Sequence, residues 1–428
     1  MTRIHLKIEA IVTLTLSCTW AMGQIPTQVP ESPASTAQSC PEMNQVPSES
    51  AARCNVLSRS SNMSDGGNHL FLSTTALGGY DTAFDSRAAL GAKLEGGQLY
   101  VGALFHRNSS YTMLENTITG IAYHIGQGSM QYLNTTSFSF NKMHSAQTAL
   151  SLDVESSYGN DAIRIIPPLS SDSVEAGSYG IHSGNVLDNQ ATARLFHQSA
   201  ENRWWSLSVR NDLREFFDDK AQVNTIHGRA EFHFQPSSRA GVGLYEETAS
   251  EKGSVECTTQ SIGVSYDRRL SPNVIAEVAA GPTAGTASCV TKVTANLFAA
   301  VSAQLWRLTN LYFSAYRKLN DSEFVALTYE DTVQGGVNQQ IGTRAWVKAR
   351  GGFITGTVPA QVSPFHGEYF AGTIEHMLPR GLYVSLSAQH FNWSGIANIA
   401  PARTLVMGSL SWTSGNRPPA DLHGPAAR

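Results

Sequence analysis

The alternation between Val293 and Leu305 limits this chain more than any other stretch. Val293, Ala295, Leu297, Ala299, Val301, Ala303 and Leu305 are all apolar, while Thr294, Asn296, Phe298, Ala300, Ser302, Gln304 and Trp306 make up the other set. A period of two is that of a β-strand. Held for roughly 13 residues, it outruns the usual soluble strand of about 5 or 6 and suits a tilted strand crossing a bilayer, with the Val, Ala and Leu face toward lipid. After a turn around Arg307 to Asn310 the pattern resumes, with Leu311, Phe313 and Ala315 on one face and Tyr312, Ser314, Tyr316 and Lys318 on the other. The unit is a hairpin.

Composition extends this reading to the rest of the 428 residues. Charged residues are 15% of the chain, against about 25% in a soluble protein, yet the mean hydropathy of -0.18 is not that of a helical membrane protein. Low charge without high hydropathy is what strands with one apolar and one Ser, Thr, Asn, Gln, Gly and Tyr face produce. After residue 23 no apolar run is long enough for a helical span, so membrane insertion must be as a closed barrel. The net charge of -4 gives no reason to expect nucleic acid as a partner.

Residues 1–23 read as an export signal: Arg3 and Lys7 precede the apolar stretch Ala10 to Trp20, and Ala21-Met22-Gly23 supplies small residues at the cleavage site. Removing the signal takes Cys18 with it and leaves Cys40, Cys54, Cys257 and Cys289 in an oxidising compartment, enough for two bridges. Residues 24–67 are rich in Pro, Ser, Thr, Gln and Asn and show neither helical nor strand period, so they form a periplasmic lead-in without regular structure, in which Cys40 and Cys54 could close a small loop.

From residue 68 to 412 short turn signals recur: Glu95-Gly96-Gly97, Gly126-Gln127-Gly128, Ala200-Glu201-Asn202, Pro236-Ser237-Ser238, Leu270-Ser271-Pro272, Arg307-Leu308-Thr309, Gly342-Thr343 and Leu378-Pro379-Arg380. Gly159-Asn160-Asp161 is a weaker candidate for a turn missing between residues 128 and 200. Longer polar connections at 106–117, 167–187, 212–221, 246–256, 282–290, 319–330, 354–364 and 393–402 join the opposite strand ends. The expected fold is all-β: a single antiparallel transmembrane β-barrel of about 18 strands, with 16 to 20 allowed, short periplasmic turns and longer external loops. A propeller packs four short strands into each repeat of about 40 to 45 residues, and the two long strands per repeat here do not match it. Trp204, Trp205, Trp306, Trp346, Trp393 and Trp412 near strand ends fit an interfacial girdle. Thr404 to Trp412 is the last strand, and residues 413–428 form a C-terminal tail.

The signal, paired strands such as Ser261 to Gly281, and the Tyr-Asp-Arg-Arg-Leu-Ser-Pro-Asn turn at 266–273 resemble the porin-like barrel families of Gram-negative outer membranes. The resemblance covers roughly residues 68 to 412 and is one of architecture. It implies a cell outer-membrane location, a lipid surround, both termini periplasmic, the barrel-assembly machinery as a partner during biogenesis, and no catalytic residue. Its closing strand resembles the one that machinery recognises, although here the chain continues past the terminal aromatic.

No P-loop, dinucleotide fingerprint, CxxC or HExxH motif is present, and no metal or cofactor is expected. The leading functional reading is a channel for small polar solutes or an exported polymer. A non-conducting adhesive or structural barrel is the alternative, and a barrel enzyme using His144, Ser145, His227 or His233 is a third class. Taking the apolar set as lipid-facing puts Arg87, Lys93, Arg194, Arg210, Arg229, Lys318, Arg344, Lys348 and Arg350 in the lumen, against Asp153, Glu155, Glu231, Asp267, Glu277 and Glu375. The densest cationic row is Arg344, Lys348 and Arg350 beside Trp346, to be left unpaired and anion-attracting or else paired with Glu375. Cys257 and Cys289 are expected near the outer ends of strands separated by one strand, roughly 10 Å apart, so that only loop ends could bridge them.

Overall fold

A computed structural model describes residues 68–85, 90–107, 110–124, 129–145, 147–160, 184–217, 221–237, 239–252, 256–286, 289, 293–306, 309–320, 328–357, 364–394 and 402–414. The export signal, the lead-in with Cys40 and Cys54, and most of the C-terminal tail lie outside these residues. The strands are β1 (His69–Asp85), β2 (Leu90–Arg107), β3 (Ser110–His124), β4 (Ser129–Ser145), β5 (Thr148–Asn160), β6 (Asn185–Ala200), β7 (Arg203–Phe216), β8 (Ala221–Ser237) and β9 (Ala240–Lys252). They continue as β10 (Cys257–Ser271), β11 (Val274–Gly285), β12 (Val293–Trp306), β13 (Thr309–Asn320), β14 (Thr328–Ile341), β15 (Ala345–Thr357), β16 (Pro364–Leu378), β17 (Leu382–Ser394) and β18 (Ala402–Thr413). Each pairs antiparallel with its sequence neighbours, and β18 returns to β1, closing an 18-stranded sheet.

Closure is what the outward face requires. Large apolar side chains such as Leu297, Val301, Leu305, Phe313, Val333, Phe353, Leu386 and Leu410 point outward and are exposed. Only lipid can cover such a surface, and lipid offers no hydrogen bond to an open sheet edge. No helix among the described residues is long and apolar enough to cross a membrane. The outward apolar belt ends at a ring of polar cross-strand pairs: Arg317 with Asp331 at 2.6 Å, Asn392 with Glu368 at 2.9 Å, Gln260 with Glu246 at 2.7 Å, Asn211 with Asn224 at 2.7 Å and His390 with Thr404 at 2.8 Å. On β14 the path from Ile341 up to Asp331 gives the belt a height of about 25 Å at the usual rise and tilt, which matches the apolar band of outer-membrane barrels.

One rim carries the tight turns. Residues 201–202, 238–239, 272–273 and 307–308 join strands there, as do Gly342–Arg344 and the short 3-10 turn Pro379–Gly381. Left-handed backbone at Gly342 (φ 66°), Arg380 (φ 65°) and Gly381 (φ 73°) reverses the chain in so few residues. At the other rim the ends of β5 and β6, β11 and β12, β13 and β14, β15 and β16, and β17 and β18 are separated by longer stretches of sequence. Both ends of the strand sequence, His69 and Thr413, are at the tight-turn rim.

The first quarter of the barrel departs from the expected phasing. Glu95-Gly96-Gly97 is inside β2, where a Cβ on Gly96 would stand 2.2 Å from the Gly120 carbonyl of β3; the glycine serves a close strand approach and not a turn. Gly126-Gln127-Gly128 falls between β3 and β4 and Gly159-Asn160-Asp161 ends β5, both on the long-loop rim. The expected loop at 106–117 is instead the β2–β3 hairpin, with Arg107 paired to Ser110 on the tight-turn rim. The missing tight turn is at 146–147, where the Ser145 hydroxyl accepts from the Gln147 N–H at 3.2 Å. Ser237 with Arg239 and Ser271 with Asn273 repeat that device, each at 3.3 Å, so Ser-x-x at a strand end was the readable signal.

Candidate functional site: two walls of the lumen

The inward set of every strand lines one lumen, and its chemistry divides by sector. On β6 to β10 inward charges meet in opposite-sign pairs. Arg229 bonds Glu231 at 3.1 Å and Glu247 at 3.6 Å and lies 4.5 Å over the Tyr245 ring. Arg210 meets Asp212 at 2.7 Å, and Arg214 reaches Asp188 of β6 at 2.9 Å. His233 shares a 2.7 Å contact with Asp267 and stacks on Trp204 with ring centroids 4.7 Å apart. Gly241 and Gly243 make room for this cluster, since a Cβ there would stand 2.2 Å from His233 and from Ser265 respectively. Arg210, Arg229 and Glu231 are on the inward set of β7 and β8, each beside an opposite charge.

The sector from β13 to β16 is different. Lys348 and Arg350 point inward and stay partly exposed. Their neighbours across the ladder are Asn338 and Thr373 for Lys348, and Gly336 and Ala371 for Arg350; Glu375 is opposite Trp346. Small or uncharged neighbours leave both cations without an ion pair among the described residues. Two tyrosines lie flat beside them. A Cβ on Gly336 would sit 2.5 Å from the Tyr312 ring, and one on Gly352 would sit 2.8 Å from the Tyr369 ring, so both rings rest over glycines. Tyr369 is held there by donating to Gln334 Oε1 at 2.8 Å. Rings laid along the wall keep the lumen open and edge the cations with hydroxyl groups.

Three expectations need correction or qualification. Arg344 is exposed in the turn before β15 and does not line the lumen. Lys93 points outward with Glu95, which itself meets His124 at 3.4 Å on the outer face, because β2 turns Ala92 and Leu94 inward. The Lys318 side chain and Arg87 lie outside what is described.

That inward turn of apolar residues belongs to a third sector, from β18 through β1 to β4, which alternation alone did not reveal. Leu77, Ala92, Leu94, Ile121, Tyr123, Leu133, Leu405 and Met407 form one buried cluster facing the lumen. Beside it Arg403 and Asp81 make a bidentate ion pair with both side chains buried, Nε to Oδ1 at 2.9 Å and Nη2 to Oδ2.

At the long-loop rim Cys257 and Cys289 form a disulfide with Cα atoms 4.9 Å apart. Residues after β11 turn back over β10: Thr286 N donates to Thr258 O at 2.9 Å and Cys289 N to Thr286 O at 3.0 Å. The loop end supplies the approach that the strand spacing denies. Among the described residues no group of His, Cys, Asp and Glu could hold a metal ion. His233 Nδ1 has no hydrogen-bond partner among the described residues, and the Ser145 hydroxyl accepts from the Gln147 N–H within its own turn.

No protein-family model matches the sequence, and no curated relative does. Solved structures do. They include Pseudomonas aeruginosa OpdK with vanillate (9% identity, TM-score 0.43, 81% of this chain and 98% of that one) and Acinetobacter baumannii OccAB3 (8%, 0.44, 81% and 98%). Another is the FrpB iron transporter of Neisseria meningitidis (8%, 0.43, 82% and 68%). The chain is similar to outer-membrane porin-like barrels. At these identities the likeness extends to barrel architecture and no further.

Proposed function

We propose that the protein is a channel of the Gram-negative outer membrane that passes small polar solutes and favours anions. The observation that carries this is the contrast between sectors: inward cations on β7 and β8 are matched by carboxylates within 2.7–3.6 Å, while Lys348 and Arg350 on β15 are not matched. Unpaired cations lining a wide aqueous lumen raise the local anion concentration, as rings of Arg and Lys do in anion-selective pores. The apolar belt supports membrane insertion, and the rim asymmetry supports tight turns facing the periplasm.

Reversal potentials in a salt gradient test the reading on the refolded protein. A modest anion preference is expected, reduced or reversed by Lys348→Glu with Arg350→Glu. Cation selectivity in the parent, or a double variant identical to it, would overturn the proposal. Absence of any conductance steps would favour a structural barrel instead.

A further inference from the structure

Cations gather at one rim of the barrel and carboxylates do not. Arg107 and Arg203 stand at the ends of β2 and β7, and Lys142 and Arg268 three residues before the ends of β4 and β10, all exposed on the outer face at the tight-turn rim. Arg239, Arg344 and Arg380 are exposed in the tight turns themselves. Among the described residues this zone holds one carboxylate, Glu201. Outward carboxylates such as Glu246, Asp331 and Glu368 stand instead at the far edge of the apolar belt. On four strands the cation follows an outward aromatic ring by the same two-residue step: Phe105 and Arg107, Phe140 and Lys142, Trp205 and Arg203, Tyr266 and Arg268. Two residues of a tilted strand climb about 5 Å, so a ring at the edge of the hydrocarbon puts its cation among the headgroups.

We propose that this collar holds the phosphodiester headgroup of an anionic glycerophospholipid in the leaflet that the tight turns face. The ladder leaves its cations to an outside partner. Arg107 and Lys142 are both opposite Ser110 of β3, one from each side. Two strand spacings put them about 10 Å apart, close enough for both long side chains to reach one phosphate in front of the serine. The other residues across from Lys142, Arg203 and Arg268 are Leu150, Ala200, Phe234, Ala240 and Ala276, none of them charged. Arg203 lies 5.4 Å over the Phe234 ring, a contact that fixes its place without neutralising it. Arg239 adjoins Arg268, since its carbonyl accepts from the Arg269 N–H at 2.7 Å. Arginine predominates in the collar, and its planar fork matches phosphate oxygens two at a time. A soluble phosphate would have no use for the ring below each strand-borne cation; an amphiphile uses both. The assignment to a glycerophospholipid rests on the reading that the tight turns face the periplasm.

Lipid selectivity in vesicles tests this without relying on conductance, so its failure is separable from failure of the channel reading. The probes are phosphatidylglycerol and phosphatidylcholine, each spin-labelled on an acyl chain, in phosphatidylcholine vesicles holding the folded barrel. A basic residue beside an anionic headgroup favours it about fivefold, and averaged over a lipid shell in which most places touch no cation, phosphatidylglycerol should associate about twofold better. Replacing Arg107→Gln, Lys142→Gln, Arg203→Gln and Arg268→Gln together should abolish that preference. Lys93→Gln with Lys252→Gln, outward toward the other rim, should leave it unchanged. A parent without the preference, a quadruple variant that keeps it, or a far-rim variant that loses it equally would overturn the proposal. Should the quadruple variant fail to fold, the parent at about 1 M salt decides, because screening over about 3 Å must remove the preference; a preference that survives refutes the collar. The leaflet is read separately on intact cells. In a Cys40→Ser, Cys54→Ser background, Asn273→Cys should resist a membrane-impermeant maleimide, and labelling there would overturn the lipid assignment.

Discussion

The Asp81–Arg403 pair closes the barrel, and removing its charge should be felt as barrel stability. β1 and β18 are the first and last strands, joined through a ladder in which Asp81 is opposite Leu405. Arg403 Nε donates to both Asp81 oxygens at 2.9 and 3.1 Å, with Nη2 adding a further bond to Oδ2. At a charge-centre separation of about 4 Å and an effective dielectric near 20, the attraction is about 4 kcal/mol. Both side chains are at or below 4% exposure, so solvent screening removes little of it. Asp81→Asn keeps the shape and strands a buried guanidinium, for which the expected loss is about 3–5 kcal/mol. Replacing both partners, as in Asp81→Leu with Arg403→Met, removes the desolvation cost together with the attraction and should come within roughly 1–2 kcal/mol of the parent. Equilibrium urea titration of folding into detergent micelles, read by gel mobility without boiling, measures both. If Asp81→Asn falls within about 1 kcal/mol of the parent, or the double variant is no better than the single one, the pair is not the desolvated clamp described above.

Two further outcomes are expected. Cys257→Ser with Cys289→Ser opens a loop of sequence separation 32, worth about 3–4 kcal/mol of chain entropy as an upper figure; an unchanged urea midpoint, or alkylation of both thiols in unreduced parent protein, would contradict the bridge. Gly336→Ala places a Cβ where the Tyr312 ring lies, 2.5 Å away, so the ring should swing into the lumen and lower single-channel conductance while stability changes by less than about 1 kcal/mol. Tyr312→Ala should raise conductance, and the same conductance in both variants would show that the ring does not border the path.

Most of the fold was legible because lipid and water impose opposite demands on alternate residues. From β12 to β17 the outward set is apolar almost without interruption, so strand phase, turn position and the inward placement of Lys348, Arg350 and Glu375 all follow from one rule. The rule slipped on β2, where Gly96 and Gly97 imitate a turn and Lys93 lies above the lipid belt on the outer face. Above that belt both faces are free to be polar, so alternation no longer says which is which. Pairing was only half legible: Arg229 with Glu231 and Arg210 with Asp212 are two residues apart on one strand face, and Lys348 and Arg350 have no carboxylate at that spacing. The Arg229–Glu247 contact lies across the ladder, and cross-strand register emerges only once every turn is placed.

The dry sector did leave a mark in the sequence, one that only the closed barrel makes readable. A strand with lipid on one face and water on the other should alternate, whereas a strand covered on both faces reads as consecutive apolar residues. Leu405-Val406-Met407 on β18 and Ile121-Ala122-Tyr123 on β3 are such runs, and each belongs to the cluster around Asp81 and Arg403. Their outward members are the lipid-facing ones: Val406 is exposed while Leu405 and Met407 are not. By contrast β14, with Gln334, Asn338 and Gln340 inward between apolar outward neighbours such as Val333, keeps alternating through the sector where Lys348 and Arg350 stay wet. On β3 and β18, consecutive apolar residues accompany the buried inward cluster around Asp81 and Arg403, whereas on β14 the persistence of alternation accompanies a polar inward face.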